Sequence, residues 1–180
     1  MRFFSILLVS IFLITAVVGC SNDIENEEIK NLNQKINEEM DTEVFLPQFD
    51  DLDLSFAYVS YSNNGEARSV DLQYSKNTAE DVVDHMEYSN IKILYGPYNT
   101  DVVLMFSFDK NYADITHVSG ERVQVNEVEI VIQENLETES FQFHMFTYNN
   151  NRYVIGYRLD YFTEEGALDS TEEIIYSIFN

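Results

Sequence analysis

Apolar and polar residues alternate along most of the chain after residue 45, which is the pattern of half-buried β-strands. Two such segments are separated by residues 62–66 and another two by residues 149–151. Both connections contain Asn or Gly, which accept positive φ, so each predicts a hairpin. Residues 102–108 are almost wholly apolar and predict a central strand. The remaining predicted strands lie near 91–95, 123–125, 128–132 and 141–145.

A narrow helical stripe precedes the strands. Ile29, Leu32, Ile36 and Met40 recur at spacings of three and four within an acidic segment. One interpretation is a marginal helix or flexible stalk, because so narrow a stripe buries little apolar surface. The other interpretation is a helix that docks on the domain that follows it. Farther along, Thr78 predicts the start of a short helix.

A second helical pattern closes the chain. Residues 170–173 form a Ser-Thr-Glu-Glu capping box, and Ile174, Ile175, Ile178 and Phe179 follow on one helical face. The apolar stripe of this helix and the apolar faces of the strands must both be shielded from water, so we expect them to pack against each other. The sequence therefore predicts an α+β fold, with a mostly antiparallel sheet of about six to eight strands and the C-terminal helix packed on one face.

The N-terminal segment has the three parts of an export signal. Arg2 precedes an apolar run at residues 3–18, and Val17-Val18-Gly19-Cys20 resembles a lipobox. In that signal the thiol of the cysteine becomes a thioether to diacylglycerol, and the small residue before it lets the peptidase reach the bond. We therefore expect cleavage between Gly19 and Cys20 and lipidation of Cys20, which is the sole cysteine of the chain. An uncleaved membrane anchor is the alternative.

These patterns predict three regions. Residues 1–19 are expected to be a lipoprotein signal peptide, residues 20–44 an acidic tether or stalk helix, and residues 45–180 an antiparallel sheet domain that ends in a helix. The predicted location is the extracytoplasmic face of the cell membrane. Diacylglycerol on Cys20 would hold the protein there, because its acyl chains bury many methylene groups in the bilayer.

The formal net charge is −22, which restricts the class of partner. A chain this acidic is repelled by phosphates, so we expect no nucleic-acid partner and no electrostatic binding to anionic lipid. One role of the charge is solubility near an anionic wall or membrane. The sharper interpretation is attraction of cations or of a basic partner.

The sequence offers few candidates for metal binding or catalysis. His85, His117 and His144 have no second ligand at metal-binding spacing. No Gly-x-Ser-x-Gly motif and no glycine-rich phosphate loop occur, and Ser119-Gly120 lies in a predicted turn without an obvious base. We therefore expect no enzymatic activity, no cofactor and no metal.

Two loops collect oxygen ligands of the kind that calcium prefers. The first holds Asp50, Asp51 and Asp53, and the second spans residues 109–114. Neither loop has the glycine-centred twelve-residue pattern with a closing Glu. Such clusters arise by chance in an acidic chain, so calcium binding is a minor alternative. The oxygen-bearing residues of the second loop are Asp109, Asn111 and Asp114.

Aromatic residues are abundant, with 12 Tyr and 13 Phe. We expect most of them to pack in the core or at strand edges. The alternative is an aromatic groove for a sugar, a peptide or an acyl chain. The tyrosines predicted to face inward are Tyr58, Tyr74, Tyr153 and Tyr157, and those predicted at strand ends are Tyr61, Tyr148 and Tyr161.

The order of these elements resembles a known domain. The residues that carry the resemblance are at 45–47, 70–74, 120–126, 143–146, 151–155 and 170–179. They resemble the uncharacterised small α+β domain of lipoproteins and anti-sigma-factor-associated proteins in Bacillus-type Gram-positive bacteria. That domain usually carries a Trp just before its last hairpin, where this chain has Phe146. The resemblance implies a membrane-associated, extracytoplasmic domain and assigns no catalytic residue.

Three functions remain open on the sequence alone. The leading hypothesis is a lipid-anchored, non-enzymatic binding or interaction module with a protein partner at the bacterial cell surface. The alternative is a carrier or sensor that holds an apolar ligand between the sheet and its helix. An enzyme is the third, since the fold decides whether paired carboxylates converge.

Overall fold

The computed structural model describes residues 22–77, 89–135 and 141–179. Contacts divide the chain into Met1–Asn31 and Leu32–Asn180, and the sheet lies within the second unit. The described elements, in chain order, are α1 Asn22–Met40, β1 Asp53–Tyr61, β2 Ala67–Ser75, β3 Ile91–Tyr95, β4 Val102–Asp109, β5 Glu121–Val125, β6 Val128–Asn135, β7 Phe141–Tyr148, β8 Asn151–Arg158 and α2 Glu164–Phe179.

The described strands form one antiparallel sheet in the order β3-β1-β2-β4-β8-β7-β6-β5. Three adjacent pairs, β1–β2, β5–β6 and β7–β8, are hairpins. The apolar strand β4 pairs with β2 on one side and β8 on the other, which puts it near the centre of the sheet, as its sequence predicted. The predicted α+β fold with an antiparallel sheet is therefore confirmed. The helix predicted from Thr78 lies outside the described residues.

Asparagine residues form the tight turns of the β5–β6 and β7–β8 hairpins. Asn149 and Asn150 both have positive φ, 49° and 64°, as the two central residues of a type I′ hairpin turn require. Asn126, in the β5–β6 turn, has φ 54°. Asparagine tolerates this region better than most residues, because its short polar side chain bonds to the local backbone. These turns fix the register of both hairpins.

One face of the sheet carries the core, and strand β1 changes phase to meet it. The sequence predicted that Tyr58 points inward. A register shift after Leu54 instead puts Ala57 and Val59, both 0% exposed, on the core face. Phe56 and Tyr58 therefore lie half-buried on the opposite face, and the prediction for Tyr58 is wrong. The extra residue of this bulge is Ser55, whose hydroxyl donates to the carbonyl of Gln73.

The second half of α1 packs on the sheet. Leu32, Ile36 and Met40 are at most 3% exposed, so the narrow stripe is buried. Lys110, just after β4, donates from Nζ to the carbonyl of Met40 at 2.6 Å. Glu39 accepts hydrogen bonds from Tyr61 of β1 and Lys92 of β3. From Leu32 onward, the docked-helix interpretation therefore describes α1 better than a free stalk.

Helix α2 begins six residues before its predicted start at Ser170. Thr163 is the N-cap, because its Oγ1 accepts the N–H of Gly166 at 3.0 Å. The earlier start adds Ala167 to the buried face of the helix and puts Thr171 in the helix interior. The capping-box prediction is therefore wrong: Thr171 is an interior residue whose side chain points into the core.

The face of the sheet opposite the core holds a group of polar side chains around Asp71. Its carboxylate accepts hydrogen bonds from the hydroxyls of Ser107 and Ser69. Burial raises the pKa of Asp71, although these hydrogen bonds oppose the rise. The neighbouring carboxylate of Asp109 is paired with Arg152, with its Oδ2 2.6 Å from Nη2. The group is thus internally paired.

Candidate functional site

The candidate site is a cleft of about 660 Å³ beside the first turns of α2, where the sheet extends past the helix toward its β5 edge. We call it the α2–β6 cleft. Its apolar floor and wall are formed by Val123, Ile132 and Leu168, all partly exposed. The size is within the usual range for small-ligand sites, but most of the lining residues are polar, whereas such sites are usually lined mainly by apolar side chains.

Carboxylates surround the α2–β6 cleft. Glu121 and Glu134 lie on its strand side, and Glu164 and Glu165 on its helix side. All four side chains are exposed, and none forms an ion pair with a basic group in the described part of the chain. Glu164 and Glu165 also stabilise the first turn of α2, because its N-terminus carries a partial positive charge. Glu121 and Glu134 have no comparable structural role.

Gln142 closes the inner end of the α2–β6 cleft. Its side chain is only 5% exposed but still lines the cleft. Its Oε1 lies 2.8 Å from Nε2 of His144. No group in the described ranges accepts a hydrogen bond from its Nε2 amide. This amide donor is therefore available to a molecule in the cleft.

A chain of buried hydrogen bonds lies behind Gln142. His144 Nδ1 is 2.7 Å from Thr171 Oγ1, which is 2.9 Å from the hydroxyl of Tyr157. Burial lowers the pKa of His144 to about 4, so the ring is neutral at neutral pH. With Oε1 of Gln142 as the acceptor, Nε2–H of His144 donates to it, Tyr157 donates to Thr171, and the single hydroxyl proton of Thr171 is shared between Nδ1 and the carbonyl of Ala167.

The grouping of Thr171, His144 and Gln142 has the outline of a nucleophile, a base and an orienting residue. Thr171 and His144 are both 0% exposed, however, so no substrate atom can reach the hydroxyl. The hydroxyl also lies 3.0 Å from the carbonyl of Ala167, one turn earlier in α2. The arrangement joins α2 to the sheet and orients Gln142, and it does not provide a reactive centre.

The structure describes two of the three histidines, and their surroundings differ. His144 lies on the opposite face of the sheet from Phe143 and Met145, and that face is the one covered by α2. His117 is exposed and 3.9 Å from Asp114. His85 lies outside the described residues.

The two carboxylate loops are arranged differently from a metal site. Asp50 and Asp51 line a small cleft that also holds the basic side chain of Lys76. In the second loop Asp109 pairs with Arg152, while Asp114 accepts hydrogen bonds from Thr116. The described residues contain no group of three or more His, Cys, Asp or Glu that could hold a metal ion. The remaining residue of the first loop is Asp53, and that of the second loop is Asn111. The backbone N–H of Asn111 donates to Oδ1 of Asn151.

The tyrosines do not gather into one groove. Tyr74, Tyr153 and Tyr157 are buried in the core, as predicted. Those at the strand ends make separate contacts: Tyr61 bonds to Glu39, and Tyr148 packs on Phe179 with ring centroids 4.0 Å apart. The third, Tyr161, has Lys76 and Arg158 over its ring.

Ser119 and Gly120 come to the rim of the α2–β6 cleft. Gly120 is required there because a Cβ would lie 2.3 Å from the carbonyl oxygen of Ile132. Ser119 lies at the rim of the cleft, and its hydroxyl makes no hydrogen bond to a described histidine, so the structure gives it no partner base. The predicted lipidation and cleavage residues, Gly19 and Cys20, lie outside the described residues.

Sequence reasoning missed the residues that form this cleft. No role was assigned to Glu164, Glu165 and Leu168 from the sequence, because the helix was predicted to begin at Ser170. The signal that could have found them is Thr163 followed by two acidic residues, a common N-cap pattern. Gln142 gave no signal, since its role depends on where α2 ends up.

None of the described helices combines the length and the hydropathy needed to cross a bilayer. Comparisons with protein-family models, curated proteins and solved structures found no match to this chain. The resemblance to the lipoprotein domain therefore stays a prediction, and the function has to be argued from the site.

Proposed function

We propose that this protein is a lipid-anchored extracytoplasmic lipoprotein that acts as a non-enzymatic binding or interaction module at the bacterial cell surface. The binding role is carried by one observation, the solvent-open α2–β6 cleft that ends on the free amide donor of Gln142. The anchoring role rests on Val17-Val18-Gly19-Cys20 at the end of an apolar run. No membrane contact of the folded domain is needed.

Two features of the core support binding over the alternatives. Thr171 of α2 bonds directly to β7 and β8 through His144 and Tyr157, so side chains fill this part of the space where a carrier would hold its ligand. The same bonds bury the histidine that would otherwise be the best candidate base. A carrier needs an apolar cavity and an enzyme needs an accessible reactive group.

The anchoring proposal is tested by acyl labelling of the full chain in a Gram-positive host. The wild-type protein should take up the labelled fatty acid and sediment with membranes. Cys20→Ala should take up no label, because the thiol that receives diacylglycerol is gone. Ser21→Ala, one residue away, should label normally. Lipid label that persists on Cys20→Ala would refute the anchor.

The binding role is tested by photo-crosslinking in intact cells. A benzoylphenylalanine at Leu168, in the wall of the α2–β6 cleft, should give a discrete adduct with another molecule. The same probe at Tyr112, which is 41% exposed, is the control for random encounters. Equal adduct patterns at the two positions would mean that the cleft is not the binding surface.

A further inference from the structure

The partner class can be narrowed by the chemistry of the α2–β6 cleft, an inference that rests on the proposed binding role. The rim carries four carboxylates without a described basic partner, of which Glu121 and Glu134 do not serve a helix end. Like charges held around one cleft repel each other, and a cationic ligand relieves that repulsion. The charge complementarity therefore calls for a basic ligand.

Gln142 calls for a second feature of the ligand besides positive charge, a hydrogen-bond acceptor. Its Oε1 is held by His144, which leaves the Nε2 amide of a side chain 95% buried facing the cleft without an acceptor among the described groups. Because Gln142 lines the open cleft, a ligand oxygen placed there can accept a hydrogen bond from this amide. The acidic rim disfavours an anionic oxygen. The matching group is a neutral carbonyl, such as that of a peptide bond.

The strands below the cleft supply the third element. In the described part of the chain β5 is the last strand of the sheet, and its Glu121 and Val123 line the cleft beside Ile132 and Glu134 of β6. The apolar patch formed by Val123, Ile132 and Leu168 suits small apolar side chains or the aliphatic stems of lysines.

We propose that the α2–β6 cleft binds an extended basic segment of a polypeptide, whose lysine or arginine side chains meet the glutamates and whose backbone carbonyl accepts from Gln142. A polyamine would satisfy the glutamates but offers no carbonyl to the amide. A neutral peptide would satisfy the amide but leave the carboxylates unrelieved. The segment needs both features.

The test uses the full chain in a nonionic detergent and a fluorescent peptide of alternating lysine and valine. Fluorescence anisotropy should show saturable binding that weakens as salt increases, because ionic strength screens the glutamates. Glu121→Gln with Glu134→Gln should weaken binding at least about tenfold, since these two charges are lost at the cleft. The matched control, Glu27→Gln with Glu28→Gln in α1, removes the same charge from exposed sites and should leave affinity within about twofold.

Further arms separate the alternatives. Gln142→Met should weaken peptide binding without changing the salt dependence of that binding. Circular dichroism checks that this variant folds. If it does not fold, the glutamate variants still test the proposal. Equal weakening in the two glutamate pairs would show general attraction to an acidic protein and would overturn the proposal. So would spermine that displaces the peptide at equal concentration, or wild-type protein that does not bind the peptide. Crosslinks from Leu168 would survive that last result, so the proposed function and this inference fail separately.

Discussion

Thr171 Oγ1 and His144 Nδ1 lie 2.7 Å apart although α2 and β7 are 27 residues apart in sequence. Both side chains are fully buried, so this hydrogen bond is a specific link between the two layers of the fold. It also sets the position of Gln142, because the other ring nitrogen of His144 holds Oε1 of that residue at 2.8 Å. The core and the α2–β6 cleft are therefore one connected system.

Replacing Thr171 with Val should destabilise the protein by about 1–3 kcal/mol. The change keeps the shape of the side chain but removes the buried partner of Nδ1 of His144 and one hydrogen-bond partner of the Tyr157 hydroxyl. Urea unfolding followed by circular dichroism measures the loss. The control is Ser177→Ala, which removes an exposed hydroxyl from the same helix and should change stability by less than about 0.5 kcal/mol. Equal effects in the two variants would contradict a structural role for the network.

Stability should fall as the pH is lowered through the range in which only the unfolded chain protonates His144. Burial holds the folded-state pKa near 4, against 6.5 for an ordinary histidine. Above about pH 6.5 neither state binds this proton, and below about pH 4 both do. Between these values protonation of the unfolded chain lowers the free energy of unfolding, by about 2 kcal/mol at about pH 5 compared with neutral pH.

The measurement compares unfolding of the wild type and His144→Gln at about pH 7.5 and about pH 5. Carboxyl groups titrate in both proteins, so the difference isolates the histidine. The wild type should lose about 2 kcal/mol more than the variant between the two pH values. Parallel pH profiles would mean that His144 is not buried as a neutral ring.

The docking of α1 is tested at Ile36, which is 0% exposed. Ile36→Ala should cost about 2–4 kcal/mol, because it removes buried methyl groups and leaves a cavity between α1 and the sheet. Lys35→Ala, on the exposed side of the same helix turn, should have little effect. If α1 were a free stalk, both variants would unfold at the wild-type urea concentration.

Asp71 should make stability fall as pH rises through the titration range of this carboxyl group. Its pKa is raised by burial, so the folded state binds the proton more tightly than the unfolded state does. The favourable contribution is full at low pH and is lost as the group ionises. Asp71→Asn should therefore lose less stability than the wild type between about pH 4 and about pH 7. Asp51→Asn, at an exposed position, should keep the wild-type profile.

The sequence by itself determined the local structure of this protein. Alternation of apolar residues predicted the strands, and the asparagines at 126 and 149–150 predicted turns that adopt positive φ. These features depend on neighbouring residues only, because side-chain period and turn geometry are properties of short segments. The lipobox around Cys20 is of the same kind, since a peptidase reads it as a linear signal.

Only the tertiary structure decided which faces meet. In strand β7 the more apolar face is that of Phe143, so the sequence favoured that face for the core, but the structure covers the face of His144 with α2. The bulge at Ser55 reversed the phase of Tyr58 through pairing with β2, a partner distant from it in the chain. The α2–β6 cleft exists because α2 starts at Glu164 and leaves part of the sheet uncovered. Burial and pairing are relations between segments, and no single segment contains them.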